Sequence, residues 1–218
     1  MQPSDLKRAI LDAMLPDVPF DGWSVKSAAA AAKRAGLDPA DVARAFPGGT
    51  REIIEFWSAS ADEDLLEALK THDLAAMRIR DRIALAVKLR LEAATPHKEA
   101  LRRAISILAF PGQTGLGARM LYRTVDTIWF GIGDRSDDFS FYTKRGLLAA
   151  VYSSTLLYWL EDRSEDSIDS WAFLDRRIAS IMQIPKLKSR VKTAAGRLPN
   201  PLRLIPKRPR FVRPASSV

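Results

Sequence analysis

Apolar residues recur three and four positions apart along most of the chain, with polar residues between them. That spacing puts one greasy stripe on each of a series of helices. On this period we read helices over 4–15, 24–35, 39–45, 50–70, 72–93, 97–109, 114–132, 139–161, 167–183 and 186–197. Ile168, Trp171, Leu174, Ile178 and Ile181 are one such stripe. Local punctuation agrees: Ser4 is placed to cap the first helix, and Asp38-Pro39 reads as an N-cap followed by a first-turn proline. Gly36 reads as a helix stop. No segment alternates with the period of a strand, and none repeats, so the expected class is all-α. The longest uncharged run, GLLAAVYSSTLLYWL over 146–160, falls short of the roughly 20 apolar residues a bilayer span needs. It reads as a helix inside a protein core. The first fifteen residues, MQPSDLKRAILDAML, carry acidic residues and no long apolar core, unlike a signal peptide. A soluble, cytoplasmic protein is expected, touching the inner face of the membrane only peripherally.

Composition narrows the chemistry. With 47% hydrophobic and 28% charged residues in 218, the chain can bury a core. Cysteine is absent, which removes disulfides, zinc fingers, iron–sulfur clusters and thiol nucleophiles. His72 and His97 are the two histidines, too few for a histidine-rich metal centre. The net charge of +8 is unevenly placed: residues 185–218 hold ten Lys or Arg and no Asp or Glu, leaving 24 basic and 26 acidic residues before them. A slightly acidic globule therefore ends in a basic tail suited to phosphates of lipid or nucleic acid. Three segments follow: a three-helix unit over 1–48, a helical bundle over 49–184, and a basic helix with a proline-rich tail over 185–218.

The first segment, through SVKSAAAAAKRAGLDPADVARAF, resembles the helix-turn-helix of TetR-type repressors. Its third helix argues against DNA, because Asp38 and Asp41 face a single Arg44 where a recognition helix needs cations and amides. Lys26, Lys33 and Arg34 lie on the preceding helix. Nucleic acid is not the expected partner.

The most distinctive stretch is DTIWFGIGDRSDDFSFYTKR, Asp126 to Arg145. Aromatics crowd around Asp134, Asp137, Asp138, Lys144 and Arg145. Metal binding by the aspartates lacks the glycine and closing glutamate of a calcium loop. Acid–base catalysis lacks a nucleophile or cofactor to work with. A protein-binding patch suits aromatics beside Arg and Asp. The plain structural reading is a capped helix hairpin with aromatics in the core.

This run, Asp-x-x-Trp-x-x-x-Gly-Asp-x-x-x-Asp-Phe-x-x-Tyr-Thr-Lys-Arg, resembles the Coq-nine family of ubiquinone-biosynthesis proteins. The resemblance continues through Leu148, Tyr152, Ser154-Thr155, Asp162-x-Ser164 and Phe173-Leu174-Asp175-x-Arg177-Ile178, and covers roughly residues 6–182. It implies a TetR-like all-helical fold without DNA recognition. It implies an accessory protein rather than an enzyme, with no cofactor of its own. Such a protein takes isoprenoid quinone intermediates from the membrane and presents them to the di-iron hydroxylase late in the pathway. The partner-binding patch then falls on Asp134, Asp138, Phe141, Tyr142, Lys144 and Arg145, with Phe141 where the family pattern expects tryptophan. A ligand-responsive repressor is the competing reading, and a homodimer remains open.

A lipid needs a cavity. Leu101, Ile105, Leu108, Leu121, Val125, Ile128, Leu148, Val151 and Leu156 either line one or fill the core; their pattern fits both. In the tail, Leu187, Val191 and Leu198 share a face with Ala194 and Ala195, and Lys186, Lys188, Arg190, Lys192 and Arg197 lie beside or behind it. Such a helix lays apolar groups into an anionic membrane surface and its cations among the headgroups, each contributing about 1 kcal/mol.

Overall fold

A computed structural model describes the backbone of residues 3–134 and 140–195, and the side chains of 3–134 and 142–181. Ten α-helices order the described residues: α1 Pro3–Met14, α2 Val18–Asp21, α3 Val25–Arg34, α4 Pro39–Ala45, α5 Thr50–Lys70, α6 Ile79–Glu92, α7 Lys98–Leu108, α8 Thr114–Gly131, α9 Ser140–Glu161 and α10 Ile168–Ala195. No strand occurs among them. The chain divides into two compact units, Met1–Ile178 and Ala179–Val218, and the described part of the second is helix as far as Ala195.

Local chemistry sets most boundaries. Ser24 accepts from the Ser27 amide while Ser27 Oγ accepts from the Ser24 amide, a reciprocal cap that starts α3. At its end Gly36 takes φ +75°, and the Leu37 amide reaches back to the Ala32 carbonyl, which closes the helix. Asp38 accepts from the Ala40 amide with Pro39 in the first turn of α4.

Three boundaries depart from the periodicity. The segment expected to begin at 72 becomes a 3-10 turn at Leu74–Ala76, and α6 starts only at Ile79, because Asp73 caps the short turn and Met77 and Arg78 are extended. The short α2 was not foreseen; a four-residue turn is too brief to show a period. The helices expected either side of Pro185 form one helix, α10. Ile168 also leaves its expected stripe and is exposed, because it occupies the first turn of α10, whereas Leu174 and Ile178 are buried.

One core runs through the first unit and ties the N-terminal helices to the bundle. Ile10, Leu11 and Met14 of α1 pack on Ala28, Ala31 and Ala32 of α3, and Val42, Phe46, Ile53 and Ile54 complete the cluster with Ala100 and Ala104 of α7. The three alanines repeat at i, i+3 and i+4, so α3 presents a flat face with no long side chains between the helices. Trp23 donates from its indole to the Ala100 carbonyl at 2.9 Å, and its ring centroid lies 5.2 Å from that of Trp57. α5 and α8 approach so closely that a Cβ on Gly131 would stand 2.7 Å from Leu69 Cδ1.

The end of α9 is tied to α10 by Asp162. Its carboxylate accepts from the Ser164 amide at 2.8 Å and the Ser170 amide at 2.9 Å, and from both serine hydroxyls. Partial burial works against the charge, but the serine hydrogen bonds more than offset it and hold the carboxyl far below the usual carboxylate range. Asp162→Ala is expected to cost about 1–2 kcal/mol at neutral pH, the range for losing such a cap. Because the folded-state pKa is depressed, the wild-type advantage is complete above about pH 4 and shrinks as pH falls further. Urea unfolding of both proteins across that range measures it.

Candidate functional site

A cavity of about 540 Å³ opens within the first unit. That lies in the range of small-molecule sites. Five helices contribute most of the wall: α1 through Leu11, with Leu15 just past its end, α5 through Ile54 and Trp57, α7 through Ala104, α8 through Met120, and α9 through Tyr152.

Of the residues expected to line a lipid site, Leu101, Ile105, Leu108, Leu121 and Leu156 are on this wall. Val125, Ile128, Leu148 and Val151 are not. They are fully buried and pack α8 and α9 into the core. Helical phase does not separate them: on α8, Leu121 and Val125 lie about a turn apart on nearly one face, yet the earlier residue lines the cavity and the later one is packed in the core.

The periodicity did not single out the polar groups of the cavity. Asp62 on α5 is only 3% exposed and gathers three donors: Arg90 Nε of α6 at 3.0 Å, Thr124 Oγ1 of α8 at 2.9 Å and Arg123 Nε of α8 at 3.3 Å. Arg123 also donates to the Glu55 carbonyl. Burial alone would weaken the Arg90 charge, but the Asp62 carboxylate, hydrogen-bonded to it, holds the charge, and its pKa is raised. Burial raises the Tyr152 pKa too, so the phenol keeps its proton at neutral pH. His97 is pushed down by burial and is neutral there. At the rim, Arg8 Nη1 pairs with Asp64 Oδ2 at 3.2 Å. A signal for the network was present in the sequence: Ile83, Val87 and Arg90 share one face of α6, a charge on a buried stripe.

The expected partner patch divides. Asp138 lies outside the described residues, as does the side chain of Phe141. Tyr142 is 73% exposed. Lys144 Nζ donates to Asp134 Oδ1 at 3.0 Å and stands 5.6 Å from the Trp129 ring centroid. Arg145 is buried, and its Nε donates to Asp126 Oδ1 at 2.7 Å. It therefore clamps α9 to α8 beneath the surface and leaves Tyr142 to face outward. Among the described residues no three acidic or histidine side chains gather around a possible metal position. No helix among them is long and apolar enough to cross a membrane. Of the residues expected to meet a membrane, Arg197 and Leu198 lie outside the described residues. Lys186, Leu187, Lys188, Arg190, Val191 and Lys192 lie on the α10 backbone, with their side chains outside them.

The COQ9 family model matches residues 114–185, from the start of α8 into α10. The rat ubiquinone biosynthesis protein COQ9, mitochondrial, is 34% identical over 199 residues, 88% of this chain. The human protein of the same name is 33% identical over 199 residues. The chain is a homologue of the COQ9 proteins. It spans 64% of the length of the rat relative and 63% of the human one. A TetR transcriptional regulator from Nitrosomonas europaea superposes with a TM-score of 0.66 over 81% of this chain and 97% of its own, at 19% identity. The fold is therefore TetR-like and all-α.

Removing one partner of the Asp62 cluster leaves buried charge uncompensated. Asp62→Ala is expected to cost about 3–5 kcal/mol, while the double change Asp62→Leu with Arg90→Met costs less than that single change. Denaturant titration of the two variants decides it.

Proposed function

We propose that this chain is a lipid-binding accessory protein of ubiquinone biosynthesis rather than an enzyme. It takes an isoprenoid quinone intermediate from a membrane surface and presents it to a di-iron hydroxylase. The observation that carries the reading is the apolar cavity of about 540 Å³ in a homologue of proteins named for ubiquinone biosynthesis. Burying prenyl carbons there gains about 0.8 kcal/mol per CH₂ removed from water. At about 30 Å³ per water-sized group the space holds roughly 18 such groups. A substituted quinone ring of about a dozen heavy atoms and about one isoprene unit would fit, and the rest of a long tail would extend outside.

The basic segment from 185 to 218 supports membrane docking, since its ten cations face no acidic residue of their own segment. Tyr142 offers the exposed aromatic of a partner surface, with the Lys144–Asp134 pair, half-buried, beside it. The rival repressor reading has the fold in its favour and the chemistry of α4 against it. Arg44 pairs with Asp41 and lies 3.9 Å from Asp38, so the one cation of that helix is already matched.

Native mass spectrometry of protein purified without harsh detergent should show a co-purified isoprenoid lipid. The full chain should float with anionic liposomes, and a chain ending at residue 185 should not. Folded protein that carries no lipid and binds none added would overturn the reading.

A further inference from the structure

The buried wall of the cavity holds a polar cluster. Ser60, Arg90, Thr124 and Tyr152 are buried beside apolar Leu11, Ile54 and Ala104, with Arg90 and Thr124 meeting at Asp62, whereas Ala109, Thr114, Ala118 and Leu157 are exposed at the rim. Two donors of the cluster are unused among the described residues. The Tyr152 hydroxyl makes no hydrogen bond and is not a fully enclosed atom, so it opens on the cavity that its residue lines. Arg90 is bonded through Nε to Asp62 and through Nη2 to the Ser58 carbonyl at 3.5 Å, and its Nη1 is open in the same way. Thr124 gives its one proton to Asp62.

The cations around the cavity are matched, and Asp12 adds a further carboxylate to its wall. Arg8 faces Asp64, Arg90 and Arg123 share Asp62, and Arg123 also reaches Glu55 at 4.0 Å. A carboxylate or phosphate entering here would lose its hydration and find no unmatched cation. A neutral oxygen with free lone pairs would find two waiting donors. A purely hydrocarbon end would leave both donors unsatisfied.

We infer that this buried cluster receives the ring of a neutral quinone-type ligand, its oxygens accepting from the Tyr152 hydroxyl and the Arg90 guanidinium, with the prenyl tail leaving past the rim. The inference rests on the reading of the cavity as a prenyl-quinone site and adds a direction, ring inward. Shelter of the ring from water then lasts until the ligand is drawn out toward its enzyme. Tyr152 selects the ligand, and Arg90 both selects it and holds Asp62.

Displacement of the neutral dye Nile red from the full chain tests this with three probes: decylubiquinone, decylbenzene, which keeps ring and tail but lacks the oxygens, and palmitate. Decylubiquinone should bind about tenfold tighter than decylbenzene, and Tyr152→Phe should weaken it about five- to tenfold, the ratio one neutral hydrogen bond gives. The variant should leave decylbenzene binding unchanged, because the lost hydroxyl makes no hydrogen bond in the fold. Equal binding of decylubiquinone and decylbenzene, or equal weakening of both by the variant, overturns the ring-inward inference and leaves the cavity reading standing. Palmitate binding tightest overturns the neutral-ligand assignment. No displacement by any probe overturns the cavity reading itself.

Discussion

The first unit is organised around one buried carboxylate. Asp62 holds α5 to α6 through Arg90 and to α8 through Thr124 and Arg123, so three helices that would otherwise meet only through apolar contact are fixed in azimuth. Taking a carboxylate out of water costs several kcal/mol, and here the cost is offset only because its oxygens meet donors from two further helices. An all-apolar seam of the same volume would hold at least as well. It would not fix which side of each helix faces the gap. The cavity exists because that gap stays open while its polar wall is tied down.

Much of the fold could be read from the chain, since a period of 3.6 residues reports directly which side of a helix is buried. α3, α4 and α5 begin and end where Ser24, Gly36, Asp38 and Lys70 place them. What periodicity does not contain is tertiary competition. Ile79 starts α6 late because Asp73 caps a different turn, and Pro185 does not end the helix that runs through it.

The site was less legible for a related reason. A stripe of leucines shows that a face is covered but not by what. Leu121 faces empty space and Val125 faces a helix, four residues apart on one element, and only the packing of neighbours separates them. The resemblance places Arg145 in the partner patch, yet it is buried and its charge goes to Asp126. The polar cluster of the cavity required seeing that Asp62, Arg90, Thr124 and Tyr152, from four helices, converge.

α1 has two duties. Leu11, with Leu15 just past its end, forms part of the cavity wall, and the same residues, with Ile10 and Met14, belong to the core shared with α3 and α4. A guest that swells the chamber therefore leans on the spar that carries the helix-turn-helix-like head.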